Sequence, residues 1–96
     1  MGVTKKERRT SSRHTLAENL RTARSLFGWS QEELGFQCGL KRTYVGALER
    51  VEINLGSDNL DKLAYGLGLP PHLLLTPPEQ AYPEIYAVAS KRNGRR

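Results

Sequence analysis

Ser30-Gln31-Glu32-Glu33-Leu34-Gly35-Phe36-Gln37-Cys38-Gly39-Leu40-Lys41-Arg42-Thr43-Tyr44-Val45-Gly46-Ala47-Leu48, followed by Glu49 and Arg50, is the stretch that decides the fold of this chain. Ser30 with Glu33 three residues later forms a capping box, so a short helix begins at Gln31 and turns Leu34 and Cys38 to one side. Gly39, which tolerates a left-handed backbone, ends it. A second helix restarts around Lys41, with Val45 and Leu48 facing the core and Arg42, Thr43, Gly46 and Ala47 facing out. Joined by so few residues, the two helices must cross steeply.

Such a pair is the helix-turn-helix unit, whose second helix fits a DNA major groove. The same corner also serves as a plain core element, so the surrounding sequence has to decide between the two. Upstream, Thr15 and Glu18 make another capping box, opening a helix over residues 16–27 with Leu16, Leu20, Ala23 and Phe27 on one face and Gly28 ending it. Trp29 plugs the core at the connection. Downstream, Ser57 caps a helix with Asp58 and Asp61 in its first turns and Leu60, Leu63, Ala64 and Leu67 as its buried stripe, closed by Gly68. Pro71 suits the first position of a last short helix carrying Leu73, Leu74 and Leu75.

Together, Leu16-x-x-x-Leu20-x-x-x-Arg24, Trp29-Ser30-Gln31-Glu32-Glu33-Leu34, Arg42-Thr43-Tyr44-Val45, Glu49-Arg50 and Leu60-x-x-Leu63-Ala64-x-x-Leu67-Gly68-Leu69 resemble the Cro and phage-repressor (XRE-family) helix-turn-helix domain, from Thr15 to Leu75. The resemblance implies an all-α, compact five-helix lambda-repressor-like domain at 15–76, between a basic N-terminal arm at 1–14 and a short C-terminal extension at 77–96. It also implies that Arg24 pairs with Glu49, and an arginine beside an apolar stripe needs such a carboxylate, because an unpaired buried charge is costly. The loop Val51-Glu52-Ile53-Asn54-Leu55-Gly56 departs from the commonest family pattern. Ile53 and Leu55 are expected to seat it, Asn54 to supply a left-handed turn, and Val51 is the misfit, since β-branched residues resist positive φ.

The chain has 96 residues, room for one small domain and one modest core at 38% hydrophobic content. Its net charge of +5 favours an anionic partner, but the charge is uneven. Residues 1–14 and 91–96 each carry a net +4, while the 76 residues between them carry −3. The DNA face is therefore expected to be a local basic patch. The arm reads either as a solvated tail or as an extension that adds phosphate contacts. With a single cysteine and two histidines, there is no disulfide to form and no ligand set for zinc, so Cys38 reads as a small buried hydrophobe. No metal, cofactor or small-molecule ligand is expected. Lacking a secretory or membrane-spanning apolar run, the protein is expected to be cytoplasmic.

No catalytic grouping stands out. His14 and His72 have no nucleophile nearby in sequence, and Glu32-Glu33 diverge by about 100° around a helix. The chemistry these residues can perform is recognition of double-stranded DNA. By resemblance, Arg42, Thr43 and Ala47 match positions that contact base edges: arginine can donate two bonds to guanine, threonine offers a hydroxyl and a methyl, and alanine can touch a thymine methyl. Gln31, Lys41, Tyr44 and Arg50 match phosphate-contacting positions, Gln31 also bracing the second helix. Tyr44 equally suits a ring packed at the domain edge.

Three consecutive leucines cover more than one face of a short helix, so at least one should emerge, beside Tyr65. Tyr65, Leu73, Leu74 and Leu75 are therefore expected at a dimer contact. In the extension, Tyr82, Ile85, Tyr86 and Ala89 form one side of a short helix begun at Pro83, or the segment is disordered, before Lys91 to Arg96 fray. The expected function is that of a transcription regulator acting as a homodimer on a roughly palindromic operator, with residues 41–49 in the major groove. Arg42-Thr43-Tyr44-Val45 and Asn54-Leu55 look most like restriction-modification controller proteins. A phage-type repressor, an antitoxin-type regulator or a protein–protein interaction module uses the same fold.

Overall fold

The computed structural model describes residues 11–93, which form α1 (Ser12–Phe27), α2 (Gln31–Cys38), α3 (Arg42–Glu49), α4 (Ser57–Leu67), α5 (Pro71–Leu74) and α6 (Pro78–Asn93). Three of the breaks follow from one residue type. Gly28, Gly39 and Gly68 end α1, α2 and α4 in the left-handed conformation, with φ between 73° and 76°. At the other end of α2, the Ser30 hydroxyl accepts the backbone N–H of Glu33 at 3.0 Å.

α1 is the spine. Leu16, Leu20, Ala23 and Phe27 share one buried face, and α3, α5 and α6 pack against the helix. α2 packs on both α3 and α4. Leu34, Cys38, Val45, Leu48, Leu63 and Leu67 complete the core between them. At its far end α1 supports α5 with a polar side chain. Asn19 is buried and its Nδ2 donates to the carbonyls of Leu74 and Thr76, both at 2.9 Å, so carbonyls left open where α5 ends find a partner inside the protein.

Several expectations need correction. α1 starts at Ser12, and its N-cap is Ser11, not Thr15. Ser11 accepts from the backbone of His14, which leaves Thr15 buried within the helix. Residues 11–14 therefore belong to the helix and its cap; the remainder of the expected arm, 1–10, lies outside the described residues, as do 94–96. The N-cap of α4 is Gly56, with Ser57 already helical. The extension forms a helix of 16 residues from Pro78, not a short one from Pro83. Pro83 is exposed inside it, and Ala81, Ile85 and Ala89 form its buried side. Tyr82 and Tyr86 face outward instead, stacked with ring centroids 6.0 Å apart. Lys91 and Arg92 are helical, and the Arg92 guanidinium lies 4.8 Å from the Phe27 ring centroid and 5.3 Å from that of Trp29.

The loop after α3 also resolves differently. Val51, not Asn54, takes the left-handed conformation, with φ 60°. Its N–H donates to Leu48 and that of Glu52 to Ala47, so both bonds satisfy carbonyls at the end of α3. A β-branched residue in this conformation carries strain of about 1–3 kcal/mol.

Two buried backbone approaches fix how α2 meets its neighbours. A Cβ on Gly35 would stand 2.5 Å from the carbonyl oxygen of Leu40, and one on Gly66 would stand 2.5 Å from Cys38 Sγ and 2.8 Å from the carbonyl oxygen of Gln37. Gly66→Ala should therefore push α4 off α2. Overpacking of about 1–3 kcal/mol, against about 1 kcal/mol of helix propensity gained, leaves the variant less stable in urea unfolding. Gly46→Ala meets only the ends of the Arg50 and Gln31 side chains, and its unfolding midpoint should stay near or above that of the parent.

Candidate nucleic-acid interface

The outer surface of the α2–α3 pair rests on one buried carboxylate. Glu49, the last residue of α3, receives Arg24 Nε on Oε2 at 2.9 Å and Arg24 Nη2 on Oε1 at 3.0 Å, a two-pronged pair linking α3 to α1. Gln31 Nε2 donates to the same Oε1 at 3.0 Å, tying in the first residue of α2. Arg21 Nη1 donates to the Glu49 carbonyl at 2.7 Å, and Arg24 Nη1 to that of Trp29 at 3.2 Å. The side chain of Glu49 is 4% exposed and that of Arg24 24%, so the pair is largely shielded from water. The hydrogen bonds to Glu49, outweighing burial, raise the Arg24 pKa above its ordinary value.

The bonds to Glu49 orient the Gln31 amide, and its Oε1 accepts a long 3.5 Å contact from Arg42 Nη1. Arg42, Thr43 and Lys41 are exposed where α3 begins, and Ala47 is half-buried one turn on. Lys41 is the N-cap of α3 and makes no side-chain capping bond, since an ammonium has no acceptor to offer the backbone N–H groups. Tyr44 is half-buried against the core, and its Oη accepts from Asn59 Nδ2 at 2.9 Å, so the ring is held at the domain edge. Arg50 is exposed and folds back beside Gly46, where its guanidinium is engaged by Glu52.

Lys41, Arg42 and Thr43 thus stand where α3 begins, Ala47 one turn on, and Arg50 at its C-cap, its guanidinium folded back beside Gly46 near Gln31, with Tyr44 held at the domain edge. The structure does not bring the four expected dimer residues together. Leu73 and Leu74 are buried in the core, because α5 turns them toward α1 and α4, whereas Leu75 is 41% and Tyr65 90% exposed. Arg21 and Asn19 were not singled out in the sequence. Arg21 lies on α1 three residues before Arg24, a spacing that places both on one side of the helix.

Cys38 is buried, its Sγ contacts the Leu63 carbonyl at 3.7 Å, and burial pushes its thiol pKa up to about 11. Among the described residues no cluster of three or more His, Cys, Asp or Glu side chains could hold a metal ion, and no helix is long and apolar enough to cross a membrane.

Residues 20–74 match the helix-turn-helix family. Over 68 residues the chain is 50% identical to the Neisseria hypothetical transcription factor of Neisseria meningitidis serogroup B, covering 71% of this chain and 64% of that protein. It is 46% identical over 46 residues to Control protein C.BamHI of Bacillus amyloliquefaciens, covering 48% of this chain and 57% of that protein. The chain therefore spans less than two thirds of the length of either relative. The crystal structure of the hypothetical transcription factor NHTF from Neisseria matches it with a TM-score of 0.70 and 48% identity, over 74% of this chain and 82% of that one.

Removing the Glu49 carboxylate strands Arg24 and frees Gln31. Glu49→Ala should cost about 3 kcal/mol, as expected when one partner of a shielded pair is deleted. Glu52→Ala, on the surface, should leave the melting temperature close to that of the parent. Thermal unfolding followed by circular dichroism compares the two, and equal melting temperatures would refute the role assigned to Glu49.

Proposed function

The chain belongs to the helix-turn-helix family, and from that premise we propose that it is a sequence-specific, DNA-binding transcriptional regulator of the cytoplasm. It acts as a homodimer on a roughly palindromic operator. The observation that carries this reading is the free presentation of Arg42 and Thr43 at the start of α3, on a helix pair locked from behind by Glu49. In the major groove Arg42 donates to guanine O6 and N7, Thr43 meets thymine or phosphate, and Ala47 limits the next position to a methyl contact. Gln31, Lys41 and Arg50 set the register on the phosphate backbone, and Tyr44 borders it. Likeness to Control protein C.BamHI favours a controller role within this class.

One helix of this size reads only a few base pairs, and two copies set about 34 Å apart read an inverted repeat. Tyr65 and Leu75, which with Phe36, Tyr82 and Tyr86 are the five exposed large apolar groups among the described residues, are assigned to that pairing. Occupancy follows protein concentration and the coupling of dimerisation to DNA binding.

Gel shifts against sites selected from a random duplex pool test the recognition. Arg42→Ala should lose discrimination worth about 1–3 kcal/mol at one base pair, and Thr43→Ala should also weaken binding. Unchanged binding by both variants overturns the assignment. Dimerisation is tested separately by sedimentation. Tyr65→Asp with Leu75→Asp should shift the equilibrium toward monomer, and an unshifted equilibrium removes these two residues from the interface.

A further inference from the structure

Resting on the DNA-binding reading, a second role emerges for a residue that touches no base. Arg50 already holds an anion. Its Nε donates to Glu52 Oε2 at 2.9 Å and its Nη2 to Oε1 at 3.2 Å, a two-pronged grip between side chains 60% and 53% exposed. The position of this pair matters as much as its geometry. A carbon in the Cβ place of Gly46 would lie 3.1 Å from Arg50 Nη1 and 3.5 Å from Gln31 Oε1, the oxygen that faces Arg42. The Arg50 guanidinium therefore lies within the proposed recognition surface, and Glu52 sets a carboxylate at its edge. The left-handed Val51 between them turns the chain so that Glu52 returns over Arg50. The capping bonds at the end of α3 account for the left-handed Val51, and the exposed ion pair itself adds little to folding.

A carboxylate and a phosphate offer a guanidinium the same two-oxygen fork. We propose that Glu52 is a built-in competitor for backbone phosphate. It occupies Arg50 in the free protein and must be displaced before the guanidinium can take a phosphate. Because phosphate contacts carry no sequence information, this competition lowers affinity for operator and unrelated DNA alike, and moderates the salt dependence of binding. In a regulator governed by its own concentration, such tempering keeps sites from filling while the protein is scarce.

Four full-length proteins test this: the parent, Glu52→Gln, Arg50→Ala and the double variant, titrated onto a selected operator and an unrelated duplex by fluorescence anisotropy at several salt concentrations. Circular dichroism melts establish that each is folded, as expected for two exposed side chains. Glu52→Gln should bind both duplexes about 5- to 10-fold more tightly at low salt, and its log K against log salt should steepen by about 0.9, the share of one phosphate. In the Arg50→Ala background the same change should shift affinity less than about twofold, the coupling that a double-mutant cycle isolates. If Glu52→Gln binds no tighter than the parent, the inference falls and the DNA-binding reading stands. An equal gain with and without Arg50 also overturns it, since Glu52 would then repel DNA directly. If neither parent nor variants bind any duplex, both readings fall.

Discussion

A carboxylate removed from water is stable only where the protein supplies the donors that water would have given it, and the Glu49 side chain satisfies that condition with three elements at once. Arg24 reaches it from α1, Gln31 from the first residue of α2, and the carboxylate itself ends α3. Its own carbonyl takes a further bond from Arg21. The angle between the two crossing helices is therefore set by directional polar bonds as well as by the nondirectional packing of Leu34, Val45 and Leu48. The surface that meets DNA in the proposed function inherits its shape from that buried cluster. Gln31 is where the inside connects to the outside, its amide nitrogen facing Glu49 and its oxygen facing Arg42.

Packing imposes a second constraint. α2 is approached closely by backbone or sulfur at Gly35 and Gly66. At both places the absence of a side chain lets the chain come nearer than alanine would allow. Gly66 lies in the last turn of α4, still within the helix, where glycine costs helix propensity, and its presence there is explained by Cys38 packed against it. That close contact also accounts for the thiol: enclosed beneath α4, it behaves as an apolar group, with ionisation suppressed by burial.

Legibility in the sequence follows the range of the interactions. The ends of α2, the stop of α1 at Gly28 and the stop of α4 at Gly68 depend on residues within four positions of one another, and the letters carry them openly. The start of α1 is local too, yet Thr15-x-x-Glu18 imitates a cap while the working one is Ser11. A β-branched residue fits inside a helix well enough for the pattern to mislead. For α6, the rule that places proline at the first turn was sound, but Pro78 satisfies it as well as Pro83, and the choice is made by Ala81, Ile85 and Ala89 finding α1. Leu73 and Leu74 look available for a partner until the roll of α5 about its axis is known. Asn19 and Arg21 bond to carbonyls 28 to 57 positions away, Arg92 reaches rings still farther back in the chain, and no spacing rule reaches that far. The surface residues Lys41, Arg42 and Thr43 are exposed as the sequence indicates, while what holds them in place is tertiary.

The last helix lies beyond the matched residues, which end at 74, yet it seals the spine and sets Arg92 over the rings of Phe27 and Trp29. Trp29 adjoins the cap of α2. On a ribosome the recognition pair is synthesised before the helix that steadies it, so a nascent chain carries an uncovered flank until residue 93 clears the exit tunnel. Reading-frame loss or proteolysis anywhere in those late residues would loosen the head without altering a single letter of it.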